Sequence, residues 1–70
     1  MEVPKEILEK WTALRSPGDA EKIATSMDEH ERVSDETIRR VYKDGKCNDQ
    51  VFEAMAKFYE QKAEMIKVYL

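Results

Sequence analysis

VSDETIRRVYKDGK, residues 33–46, spells out a short helix with both of its ends marked. Ser34 is a natural N-cap, because its hydroxyl can accept an orphan backbone N–H of the first turn, and Asp35 and Glu36 face the positive end of the helix dipole. Val33 precedes that cap where it can pack on Ile38 as a hydrophobic staple, and Gly45 supplies the left-handed residue that ends the helix. Between them lie about three turns. Ile38, Val41 and Tyr42 form a narrow apolar stripe, so Thr37, Arg39, Arg40 and Lys43 point away from the core. Asp35 precedes Arg39 by four residues, and Glu36 precedes Arg40 by the same spacing. Such pairs stabilise a helix by only about 0.2 to 0.5 kcal/mol, so they are compatible with phosphate binding. Lys43 and Lys46 have no acid four residues earlier. The form is that of a helix suited to a DNA groove.

Working outward, the spacing predicts three further helices. The first begins near Pro4, a residue suited to a first helical turn, and shows Ile7, Leu8, Trp11 and Leu14 on one face. Trp11 on that stripe reads as the central packing residue rather than as a platform for a base. Ser16-Pro17-Gly18-Asp19 is a second start signal, with Ser16 as N-cap, Pro17 in the first helical position and Asp19 three residues after the cap. Ala20, Ile23, Ala24 and Met27 then keep helical spacing to about Asp28, leaving Lys22, Thr25 and Ser26 outward. A polar, charged connection follows at residues 28–32 (DEHER). Asn48 caps a long last helix. Its apolar face is Val51, Phe52, Met55, Phe58, Tyr59, Met65, Ile66 and Tyr69, opposite Glu53, Lys57, Glu60, Gln61, Glu64 and Lys67. The first half of this helix should close the core. The second half has more apolar surface than the rest of the chain can readily cover, so either the first helix lies against Met65, Ile66 and Tyr69 or a second copy of the chain does.

The expected fold class is therefore all-α: one small four-helix domain over residues 1–70 with a long C-terminal helix. Seventy residues allow one economical core. The net charge of -3 argues against a protein that coats nucleic acid indiscriminately, but the charge is unevenly placed. Residues 21–36 carry two basic against six acidic side chains, whereas residues 37–50 carry four basic against two acidic. A focused basic patch on an acidic body favours one docked orientation. One cysteine, Cys47, leaves no internal disulfide and no multi-thiolate metal site, and is read as a loop residue. His30 has no second His or Cys at ligand spacing, so no metal and no cofactor are expected. Nucleophilic catalysis lacks a third partner for Cys47 and His30, and no glycine-rich phosphate loop exists. No apolar stretch is long enough to cross a bilayer, and MEVPKEILEKW has no signal-peptide pattern, so the expected location is cytoplasmic.

With that order of elements, the segment from Asp19 to Met55 resembles a repressor-type helix-turn-helix, about half of the chain. DAEKIA resembles the first helix of that motif, with Ala24 in the place of the small residue at the helix crossing. VSDETIRRVYKDGK resembles the second, with the VS-x-x-T-[VI] opening, and KCNDQVFEAMAKFYEQ the helix that covers the motif. The likeness is closest to the DNA-binding headpieces of lac-repressor-like proteins and to small regulators of phages and bacteria. One departure is plain: the turn, SMDEHERVS, is longer than the family's, lacks glycine and is acidic. An extended loop is tolerated if Ala20, Ile23 and Ile38 still meet.

The resemblance implies a non-enzymatic, sequence-specific binder of double-stranded DNA, a small transcriptional regulator in a bacterial cell or phage-infected host, with its motif over residues 19–45. By the same likeness Asp35, Glu36 and Arg40 reach base edges, while Thr37 and Arg39 lie near phosphates. An arginine such as Arg40 can donate two bonds to the O6 and N7 edge of guanine, and Glu36 can accept from cytosine N4 or orient Arg40. Ser16, Gly18 and the first N–H groups of the second helix can hold a phosphate, with Lys22, Lys43 and Lys46 adding charge. A homodimer through the last helix would suit a palindromic site. The competing expectation is a helical protein-interaction module that grips a partner with the apolar end of that helix. No membrane or small-molecule substrate is implied.

Overall fold

The computed structural model describes the backbone of residues 1–69 and the side chains of residues 1–67. Four helices follow in order: α1 (Lys5–Leu14), α2 (Asp19–Ser26), α3 (Asp35–Asp44) and α4 (Asp49–Tyr69). Among the described residues the sole extended pairing is an isolated antiparallel bridge between Glu2 and Lys46, so the fold is all-α as expected.

Helix α3 forms as its sequence dictates. The Ser34 hydroxyl accepts the Thr37 N–H at 3.3 Å, and Gly45 closes the helix at φ 69° with its N–H on the Val41 carbonyl at 2.8 Å. Ile38 and Val41 are buried, with Tyr42 half-buried beside them. Helix α4 starts on Asn48, whose Oδ1 accepts the Val51 N–H at 2.8 Å. Val51, Met55 and Tyr59, spaced by four, are its buried face. Trp11 is buried against them as expected, its ring centroid 5.5 Å from Phe52 and 5.8 Å from Tyr59.

Helix α2 differs from expectation at both ends. It starts at Asp19, not Pro17, because Ser16, Pro17 and Gly18 form a turn in which the Asp19 N–H reaches the Ser16 carbonyl at 3.2 Å. Gly18, at φ 88°, occupies the cap position, a left-handed conformation that a side chain would strain. Ser16 is therefore no N-cap; only the reciprocal half of the capping box is made, the Ser16 N–H donating to the Asp19 carboxylate at 2.9 Å. The helix ends at Ser26, two residues short of Asp28, since Met27 turns to extended geometry and drops its side chain into the core. The Arg32 guanidinium returns from the loop to donate to the Thr25 and Met27 carbonyls, at 3.1 and 3.2 Å, satisfying acceptors that the helix leaves open.

The long connection does not separate the two helices. Contact between α2 and α3 is the most extensive in the molecule, and Ala20, Ile23 and Ile38 share one buried cluster. The N-terminal residues were not foreseen as structured. Val3 is buried and donates to the Gly45 carbonyl at 2.8 Å, and Cys47 donates to the Met1 carbonyl at 3.1 Å, so the chain start is fastened to the end of α3.

The C-terminal turns of α4 settle one alternative. Met65 is 62% exposed and Ile66 39%, so α1 does not cover them. At about 1.5 Å per residue, a ten-residue helix is half the length of α4 and runs out first. The side chain of Tyr69, expected on the same face, lies outside the described residues.

Candidate nucleic-acid interface

Because Ile38 and Val41 fix the inward side of α3, the 100° step per residue sets Arg39, Lys43, Glu36 and Arg40 side by side on the opposite, solvent-facing arc. All four are exposed. Arg39 donates to Asp35 at 2.8 Å with about half of each side chain open to water. Arg40 reaches Glu36 only at 3.4 Å, with side-chain exposures of 71% and 70%. Arg40 is thus the more loosely held guanidinium and Glu36 its loosely held neighbour. Lys43 enters no ion pair among the described residues. Thr37 sits at the edge of the arc, its hydroxyl 3.0 Å from that of Ser34, tied to the cap.

The other residues expected near phosphates are dispersed around this ridge. Lys46 is exposed just beyond Gly45, paired across the bridge to Glu2. Lys22 is exposed on α2, one turn from Gly18. Ser16 is exposed too, but its Oγ accepts from Lys62 Nζ at 2.8 Å.

That lysine belongs to a polar cluster which the spacing of residues did not reveal. Asp19 is buried, and its Oδ2 accepts from Lys62 at 2.7 Å, from the Ser16 N–H and from the Tyr59 hydroxyl at 3.2 Å. Burial alone would raise this carboxyl, but the Lys62 and Ser16 hydrogen bonds, the Lys62 charge and the Tyr59 hydroxyl outweigh it and hold Asp19 below the ordinary aspartate value. Tyr59 bonds in turn to the Tyr42 hydroxyl on α3. Burial pushes both phenols up, so they stay protonated through the neutral range. The cluster joins the α1–α2 turn, α3 and α4, and so fixes how the ridge is presented. Lys62 escaped sequence reading because a lysine among apolar neighbours gives the same signal as a solvated one.

Elsewhere the surface is ill suited to phosphates. A concavity of about 700 Å³ between the end of α2, its following loop and α4 is lined by Asp28, Glu31, Glu53 and Glu60 with Lys57. His30 is exposed in the loop, and among the described residues no three His, Cys, Asp or Glu side chains gather to hold a metal ion. Cys47 is half-buried, and burial raises its thiol, which disfavours the reactive thiolate. No helix among the described residues is long and apolar enough to cross a membrane.

No family model, curated protein or solved structure matches this chain. What can be said of its chemistry therefore rests on the ridge itself: three cations on one convex helical face, two of them leashed to carboxylates by exposed, exchangeable pairs. Such pairs cost little to break, so the guanidiniums can be transferred to stronger acceptors.

Proposed function

We propose that this chain is a sequence-specific double-stranded DNA-binding protein, a small transcriptional regulator without catalytic activity, acting in the cytoplasm of a bacterial cell or phage-infected host. The observation that carries this reading is the open face of α3, where Arg39, Arg40 and Lys43 stand exposed on an otherwise acidic body. In it α3 enters the major groove. Arg40, the looser of the two arginines, donates to guanine O6 and N7, with Glu36 accepting from cytosine N4 or steering Arg40, and Asp35 at the helix start beside them. Arg39, Thr37, Lys43, Lys46 and Lys22 set the register on phosphates, with Ser16 and Gly18 in the turn that leads into α2. The test is selection of bound duplexes from a random pool at two ionic strengths. A consensus should emerge, and neutralisation of about 4 to 6 phosphates would give a log K against log salt slope of roughly -4 to -5. Recovery of no duplex, or binding indifferent to salt, would falsify this reading.

A second reading is supported by Met65 and Ile66, exposed on the end of α4: a non-catalytic interaction module that holds another protein there. In that case charged residues at positions 65 and 66 abolish partner binding, and changes on α3 have no effect.

A further inference from the structure

Each of the four arginines has a different fate, and one is left with its donors unspent. Arg32 caps α2, Arg39 is held by Asp35 and Arg40 by Glu36. Arg15, at the C-terminal end of α1, joins no ion pair, and its guanidinium donates no hydrogen bond among the described residues. It is nevertheless positioned. Its Cζ lies over the Tyr42 ring, 4.2 Å from the centroid, a cation–π contact made by a residue that is otherwise exposed to water. Tyr42 lies on α3 60° around the helix from Arg39, on the same flank as Lys43, and its hydroxyl is anchored to buried Tyr59. The ring is thus a fixed platform that carries a charge from outside the motif to the margin of the ridge. The carbonyls at the end of α1 would be natural acceptors for this arginine, and among the described residues it donates to none of them.

Resting on the DNA-binding reading, we propose that Arg15 is a phosphate clamp: its guanidinium edge receives a backbone phosphodiester flanking the groove that α3 enters, and Tyr42 acts as the positioning residue that aims it. A planar fork held over a ring matches two phosphate oxygens, which a freely moving lysine does not. The contact is to backbone only, so it adds affinity without selecting sequence.

The test uses the duplex selected by the wild-type chain and a scrambled duplex of the same composition, titrated over a range of salt. Arg15→Gln keeps a polar side chain on an unbranched stem and removes its charge. It should weaken binding to both duplexes by the same factor, about tenfold at low salt, and make the slope of log K against log salt shallower by about 0.9. Arg15→Lys should keep the wild-type slope while losing part of the affinity, because charge remains without the fork. Replacing the platform by Tyr42→Leu should shrink the effect of Arg15→Gln in a double-mutant cycle, whereas Tyr42→Phe, which keeps the ring and loses only the anchor to Tyr59, should preserve most of it. A wild-type slope in Arg15→Gln, with only its thermal stability lowered, would show an arginine that merely covers the ring and would overturn the proposal. If the wild-type chain selects no duplex at all, the DNA-binding reading itself fails, a result distinct from failure of the clamp.

Discussion

Asp19 carries more of the interior than any other polar residue. Its carboxylate receives Lys62, Tyr59 and the Ser16 N–H at once, and removing it would take an acceptor from three donors, one of them the hydroxyl of a phenol that is 1% exposed. Truncating one member of a buried ion pair costs about 3 kcal/mol, a large share of the stability of so short a chain, so Asp19→Ala should lower the urea midpoint sharply. The acid limb of stability gives a second check. Since folding holds this carboxyl below its unfolded value of about 3.9, the gain is complete above that pH and is lost as pH falls through the lower folded value. Lys62→Met removes both the hydrogen bond and the charge that offset burial. Its stability should therefore begin to fall at a higher pH than that of the wild-type chain, measured as urea midpoint against pH.

At the scale of the element, α3 separates a buried apolar stripe from an exposed basic arc. Ser34 and Gly45 define its ends, so Ser34→Ala should cost about 1 kcal/mol. Gly45→Ala should cost about 1 to 2 kcal/mol, through a left-handed backbone and a new Cβ only 3.3 Å from Leu8 Cδ2. Arg40→Ala with Lys43→Ala should leave thermal unfolding within about 0.5 kcal/mol of wild type, both side chains being exposed, and abolish selection of any duplex. The interaction-module reading expects that double variant to behave as wild type. This division was legible in the residues themselves: cap, stripe and left-handed glycine act within one turn of chain, so their positions follow from local chemistry. Helix α2 was harder. Ser16-Pro17 is as good a start signal as Ser34-Asp35, but Asp19 is taken by Lys62, 43 residues away, and a partnership that distant leaves no periodic trace. The same holds for Arg15 on Tyr42 and for Val3 beneath Gly45, contacts decided by how α1 and the chain start come to rest on α3.

For the whole molecule, the contrast is between a closed body and an α4 that outruns it. Among the described residues Lys62 makes the last side-chain hydrogen bond from α4 to another part of the chain, and beyond it Met65 and Ile66 face water. Helical turns that pack on nothing rest on backbone propensity alone, which is marginal in a short segment. In an isolated chain the amides of residues 64–67 should therefore exchange with solvent far faster than those of Val51 and Met55, whose side chains are buried in the core. Pairing of two copies through this face would protect those amides in a concentration-dependent way and would space two α3 ridges for a palindromic site. Met65→Glu with Ile66→Glu tests the coupling, because neither residue is buried and folding should be unaffected. The variant should sediment as a monomer, lose the concentration-dependent protection and bind a palindromic duplex only as weakly as a half-site. Unchanged sedimentation together with unchanged affinity for the palindrome would mean that each copy docks alone, with the end of α4 left for another partner.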